Sequence, residues 1–240
     1  MQIGRASNPI SQSSRAMPKL APLEYIRDYY EGSLSKAELF PKEYGFYQSF
    51  LNYVKGASVL NVGCGPMFYE DLWHLGEVPQ HYAGIDVNTN TFEYLEQSQH
   101  PRLAECKDYV KSHNIQTEFI AESVFDWAAE TDARFDSVFG VGVFATFYGD
   151  EFDRLMSLLW RVLNQGGHLV NVSWDGTYYT EQQYQEKLKY RFSGTDGPAP
   201  DELIDWVQKA GFKLMERRIL TTDAKTYKWD SIHVSAFRKG

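Results

Sequence analysis

Short β-rich runs separated by helical stretches, in regular alternation from Ser58 onward, constrain the fold of this chain more than any other feature. The runs are Ser58-Val59-Leu60-Asn61-Val62, Tyr82-Ala83-Gly84-Ile85-Asp86-Val87, Thr117-Glu118-Phe119-Ile120-Ala121, Ser137-Val138-Phe139-Gly140-Val141 and His168-Leu169-Val170-Asn171-Val172. A helical stretch from about Glu151 to Leu163 precedes Gly166-Gly167 and the fifth run. Strands that alternate with helices of this length pair in parallel through right-handed crossovers. The expectation is an α/β, Rossmann-like, doubly wound sheet of seven mostly parallel strands. A helix over Pro200–Ala210 stops at Gly211, and the runs Phe212–Leu220 and Ser231–Phe237 then form an antiparallel C-terminal hairpin.

Ahead of the sheet, Pro22 to about Val54 is helical and aromatic. Tyr25, Tyr29 and Tyr30 fall at i, i+4 and i+5, followed by Phe40, Tyr44, Phe46, Tyr47, Phe50 and Tyr53. Two helices are expected there, broken at Gly32-Ser33 and at Pro41, forming a helical cap over residues 21–55. Residues 1–20 mix Ser, Pro, Asn and Arg without periodicity and read as a flexible tail. Residues 21–240 read as one domain, with an aromatic active-site insert over 174–197 that carries Tyr178, Tyr179, Tyr184, Tyr190 and Phe192.

Charge narrows the partners. The 24 basic against 32 acidic side chains give a net charge of −8, which removes the electrostatic basis for holding a nucleic acid or an anionic membrane. The two cysteines, Cys64 and Cys106, lie far apart with no metal-ligand spacing, so neither a metal nor a disulfide framework is expected. No run is long and apolar enough for a membrane span, and the first residues lack the apolar core of a secretory signal. The reading is a soluble, cytoplasmic protein, monomer or homodimer, whose partner is a small molecule.

The chemistry concentrates where strands end. The first run ends in Gly63-Cys64-Gly65-Pro66, a strand-to-helix turn at which backbone approaches a ligand with no Cβ in the way. About twenty residues on, Asp86 ends the second run, where a carboxylate can accept both hydroxyls of a ribose. The plain alternative is a tight turn with a helix-capping aspartate. The turn lacks the third glycine of a pyrophosphate site, and no phosphate loop of the G-x-x-x-x-G-K type exists. A dinucleotide or triphosphate is therefore disfavoured, and an adenosine bearing an amino-acid tail suits the site.

Over about residues 55–240 the chain resembles the class I S-adenosylmethionine-dependent methyltransferases. The resemblance lies in Val59-Leu60-Asn61-Val62-Gly63-Cys64-Gly65-Pro66, Gly84-Ile85-Asp86, Ala121-Glu122-Ser123, Phe135-Asp136-Ser137-Val138 and Leu163-Asn164-Gln165-Gly166-Gly167. More closely it looks like the small-molecule N-methyltransferases acting on nicotinamide, phenylethanolamine and indolethylamines. That likeness rests on residues 22–30, on Gly65-Pro66-Met67-Phe68-Tyr69 and on Tyr178-Tyr179. It implies S-adenosyl-L-methionine as cofactor, with Tyr25, Tyr30 and Tyr69 closing over the methionine carboxylate and Gly63, Cys64 and Gly65 lining its tail. Asp86 would hold the ribose, Glu122 would face the adenine amino group with Ser123 beside it, and Asn61, Val87 and Gly140 complete the cofactor set. Tyr25, Tyr178 and Tyr179 stand at the reacting end, where ring faces attract a sulfonium by about 0.5–2 kcal/mol. The bland meaning of such a tyrosine stripe is helix packing, the reading preferred for Tyr29.

Two departures stand out. The first motif usually opens with an acid, and here Asn61 takes its place, removing a negative charge near the methionine ammonium. Ser173, followed by Trp174, stands near where the nicotinamide enzyme has a substrate-binding aspartate. Methyl transfer is an in-line displacement that needs alignment in a dry pocket rather than a dedicated base, and none of the six histidines sits at a motif that would supply one. The expected activity is methyl transfer to an amine-like acceptor. The alternative, resembling the azetidine-2-carboxylate synthases built on this fold, is attack of the cofactor's own amino group on its γ-carbon, releasing methylthioadenosine. A third class is a binding module without turnover.

Overall fold

Strands hidden on both faces need helices on both faces, and the sheet is built accordingly. The computed structural model describes residues 20–39, 53–75, 78–175, 199–221 and 231–240. Helix α1 (Leu23–Leu39) leads to β1 (Ser58–Val62), and a 3-10 turn over Gly65–Met67 opens α2 (Phe68–His74). There follow β2 (His81–Ile85), α3 (Thr89–Gln97), α4 (Pro101–Ser112), β3 (Gln116–Ile120), α5 (Val124–Glu130), β4 (Phe135–Val141) and α6 (Asp150–Val162). The chain closes with β5 (Leu163–Asp175), α7 (Pro200–Lys209), β6 (Lys213–Thr221) and β7 (Ser231–Arg238).

The sheet has seven strands in the order β3-β2-β1-β4-β5-β7-β6. The first five are parallel; β7 pairs antiparallel with β6, as the sequence predicts, and also runs antiparallel to β5. Alternation along β1 divides the core: Val59 packs with Tyr82, Phe139 and Val170 against Ile26 and Tyr30 of α1, Phe68 and Leu72 of α2 and Leu103 of α4. Leu60 and Val62 face the other way, onto Phe152, Leu155 and Leu159 of α6 and Leu203 and Val207 of α7. The winding reverses between β1 and β4, which opens a crevice at the carboxyl ends of those strands. Among the described residues no helix is long and apolar enough to cross a membrane.

Several boundaries differ from the sequence reading, among them that of β2, which ends at Ile85 and leaves Asp86 and Val87 just past the strand. Helix α1 runs through Gly32-Ser33 without a break. An internal glycine costs a helix only about 1 kcal/mol, and the buried Ile26 and Tyr30 anchor this one. Leu163 starts β5 instead of ending α6, so helix and strand join with no loop, and Gly166 takes a φ of 75° where the strand is irregular. Strand β5 also extends to Asp175, two residues into the expected insert. The tail up to residue 19, the expected break at Pro41 with the aromatics from Phe40 to Phe50, and the expected insert from residue 176 to its end at 197 lie outside the described residues.

Candidate functional site

Sheet topology brings most of the candidate residues to one end of the molecule. Asn61, Asp86, Glu122 and Gly140 stand at or just past the carboxyl ends of β1, β2, β3 and β4. The turn after β1 is bound to the end of β2: the Gly63 and Cys64 N–H groups donate to the Ile85 carbonyl at 2.8 and 3.3 Å. Gly63 and Gly65 have φ of 63° and 51°, the left-handed region that favours glycine. Their surroundings differ. A Cβ on Gly63 would lie 2.6 Å from Val143 Cγ2, whereas one on Gly65 would meet nothing within 4 Å. The first glycine lets the loop after β4 pack, and the second leaves a bare backbone beside open space.

Asp86 ties this turn together. One carboxylate oxygen accepts the Gly65 N–H at 3.0 Å and the other accepts the Asn88 N–H at 2.8 Å. Burial raises its carboxyl above the ordinary aspartate range, and the two N–H donors oppose that rise. Asn88 then caps α3 through the Asn90 N–H. Both asparagine side chains reach the N-terminal arm, Asn88 Nδ2 donating to the Ala21 carbonyl at 3.4 Å and Asn90 Nδ2 at 2.8 Å. The start of the helical cap is thereby fixed beside Asp86 and the exposed Val87.

Cys64, in the middle of the turn, is buried, and its thiol is pushed well up by burial first and then by the carboxylates of Asp86 and Asp71. It stays protonated and is no nucleophile. Asn61 is also buried, and its Nδ2 donates to Asp71 Oδ2 at 2.8 Å and to the Tyr82 hydroxyl at 3.0 Å. Sequence reasoning missed both partners. Tyr82 was detectable in principle, because position 82 on β2 sits beside β1 and shares the face of Val59 and Asn61. Asp71 gave no such signal, being one of two adjacent acids in the first turn of α2, where acids ordinarily serve the helix dipole.

The other candidates differ in burial and in contacts. Tyr30 is wholly buried, donates from its hydroxyl to Glu70 Oε1 at 3.3 Å and packs its ring against Tyr94 and His100. It belongs to the packing between helices, because α1 turns this side chain inward. Tyr69 is partly buried, edge-on to Phe68 and Phe119, with Lys107 Nζ 5.8 Å from its ring centre. Ser123 spends its hydroxyl capping α5 through the Phe125 N–H, while Glu122 is exposed. Gly140 is buried and makes room for Val143 and Phe144. Tyr25 is partly buried against the core near the start of α1. Tyr178 and Tyr179 lie outside the described residues.

Residues 60–171 match the sequence model of a family described as a methyltransferase domain. No curated protein sequence matches the chain. Solved structures of similar fold include the N-methyltransferase NodS from Bradyrhizobium japonicum WM9, at 16% identity and a TM-score of 0.55, covering 83% of this chain and 97% of that one. Magnesium protoporphyrin IX methyltransferase ChlM from Synechocystis PCC 6803, with S-adenosylhomocysteine bound, aligns at 12% identity and a TM-score of 0.56 over 91% of this chain and 99% of its own. The 4+2 cyclase SpnF aligns at 14% identity and a TM-score of 0.57 over 82% and 80%. At these identities the likeness shows the fold alone. The architecture is that of the class I methyltransferases. Within it, residues 60–171 are similar to a methyltransferase domain, and one structure of this fold, NodS, holds S-adenosylhomocysteine.

Proposed function

We propose that this chain is an S-adenosylmethionine-dependent small-molecule methyltransferase acting on an amine-like acceptor. The observation that carries the reading is the Asp86 carboxylate, held by the N–H groups of Gly65 and Asn88 beside the bare face of Gly65, within a region similar to a methyltransferase domain. These residues fit a nucleoside whose tail runs along a glycine turn: an acceptor-only carboxylate suits two ribose hydroxyls, and each of its oxygens keeps a lone pair for one.

When bound, S-adenosylmethionine supplies a methyl group activated on a sulfonium. The chain contributes position. Asp86 orients the sugar, the turn over residues 63–65 guides the tail, and Glu122 and Ser123 flank the base. Tyr25, Tyr69, Tyr178 and Tyr179 screen the reacting end from water and offer ring faces to positive charge. Cys64 stays a neutral thiol and does not compete with the acceptor for the methyl group. A neutral amine attacks without a base, so the acceptor's own ionisation sets the pH profile.

The alternative, ring closure of the amino group onto its γ-carbon with loss of methylthioadenosine, drew on Asn61 in place of an acid. Asp71 against the Asn61 amide restores a carboxylate at that strand end and favours methyl transfer. Mass spectrometry of the nucleoside product separates the readings. S-adenosylhomocysteine that forms only with an amine acceptor present, together with a methylated amine, is the expected result. Methylthioadenosine from the cofactor alone would establish the cyclase, and binding without turnover across an amine panel would leave a binding module.

A further inference from the structure

Asn61 and Asp71 are ten residues apart in sequence and one hydrogen bond apart in space. Both are buried, Asp71 at 4% exposure and Asn61 at 1%. An amide nitrogen carries two hydrogens, and those of Asn61 go to Asp71 and to the Tyr82 hydroxyl. That pairing fixes the amide plane, with Oδ1 directed away from the carboxylate. A buried carboxylate is costly, and apolar side chains in its place would often be at least as stable. Its field reaches the turn, because Asp71 adds to burial in holding Cys64 protonated and to burial in raising the Tyr82 phenol. The charge thus lies under the 63–65 turn, along which the proposed tail runs.

We infer that Asp71 is the positioning residue for the ammonium group of the ligand's amino-acid tail, acting through Asn61, whose Oδ1 accepts the ammonium N–H. This rests on the proposed binding of S-adenosylmethionine. The negative charge that an acid at position 61 would carry is supplied from α2 instead. A carboxylate is set back by one amide, so the ammonium is recognised by a dipole that the buried charge polarises and orients.

The test compares two ligands that share base and sugar: S-adenosylhomocysteine, which has the ammonium, and methylthioadenosine, which lacks the amino-acid tail. Titration calorimetry of Asp71→Asn is expected to show about tenfold weaker S-adenosylhomocysteine binding with methylthioadenosine binding within about twofold of wild type. Equal weakening of both ligands, or of neither, would overturn the role of Asp71 while leaving the proposed function standing. Wild-type protein that binds neither nucleoside would sink the proposed function and this inference with it. The double exchange Asn61→Asp with Asp71→Asn keeps one charge and one amide in contact, and it serves also where the single variant fails to fold. It is expected to hold S-adenosylhomocysteine within about threefold of wild type. A loss of about tenfold or more confined to that ligand would refute the relocation of charge.

Discussion

Glu70 and Asp71 are neighbours on one short helix, equally buried, and they inhabit different chemistry. Glu70 points to α1 and α4. Its two oxygens take the Arg102 guanidinium side-on, Nε to Oε1 at 2.9 Å and Nη2 to Oε2 at 3.2 Å, and Oε1 also accepts from Tyr30 and Cys106. Arg102 in turn lies 4.5 Å from the ring centre of Trp73. Asp71 points to the end of β1 and meets an amide. A carboxylate matched by a guanidinium has its charge answered on the spot and fixes where helices sit. A carboxylate hydrogen-bonded to an amide polarises that amide and passes part of its field onward. The helical clamp and the strand-end crevice are therefore separable by mutation, the first reading out in stability and the second in ligand affinity.

The largest expected effect breaks the clamp. Arg102→Ala leaves Glu70 buried opposite the Tyr30 hydroxyl, and urea denaturation should show a loss of about 3 kcal/mol. Asp86→Ala comes next and falls on the other side: calorimetry should give S-adenosylmethionine affinity lower by about 2 kcal/mol, while Tyr179→Phe alters turnover and leaves affinity almost unchanged. Unchanged affinity in the aspartate variant would remove the assigned sugar contact.

The two glycines of the turn sharpen the division. Gly63→Ala drives a methyl group into Val143 and should cost about 2 kcal/mol of stability. Gly65→Ala meets open space and should cost only about 1 kcal/mol, from its left-handed backbone, yet hinder the ligand. Matching stability losses in the two variants would show that both glycines serve packing alone.

The smallest effect titrates the clamp. His74 Nε2 lies 3.6 Å from Glu70, but burial first and Arg102 second bring its pKa from 6.5 down to about 4, so it is neutral at neutral pH. Because the unfolded chain binds this proton and the folded one refuses it, stability falls as pH drops from 6.5 towards about 4. Above that window the group contributes no pH dependence. His74→Gln should flatten this part of the profile, checked by denaturation midpoints at about pH 7 and about pH 4.5. An unchanged slope would mean that His74 is protonated in the folded protein.

What the sequence revealed follows from range. Parallel strands buried on both faces leave apolar runs, so β1, β2 and β4 were legible, and with them Asp86 and the glycine turn, whose positions follow from where strands end. Residue pairs that meet only after folding left no such trace. Tyr30 and Glu70 are 40 positions apart, and Arg102 and Glu70 are 32. The tyrosine stripe of α1 was therefore visible while its destination was not. Ser123 illustrates a different loss, since a serine before a helix is a capping residue by local chemistry, and here the structure uses it so. Asn61 was noticed as a missing acid, yet only the packing of α2 against β1 reveals which carboxylate stands behind it.

The grip of Asn88 and Asn90 on the Ala21 carbonyl makes the proposed sugar recognition and the docking of α1 two readings of one backbone segment. Whatever steadies residues 86–88 steadies the anchor of the first helix, and by reciprocity whatever loosens that anchor weakens the hold on the sugar. Proteolytic nicking before Leu23 should therefore slow when nucleoside is present, making the arm a built-in reporter of occupancy.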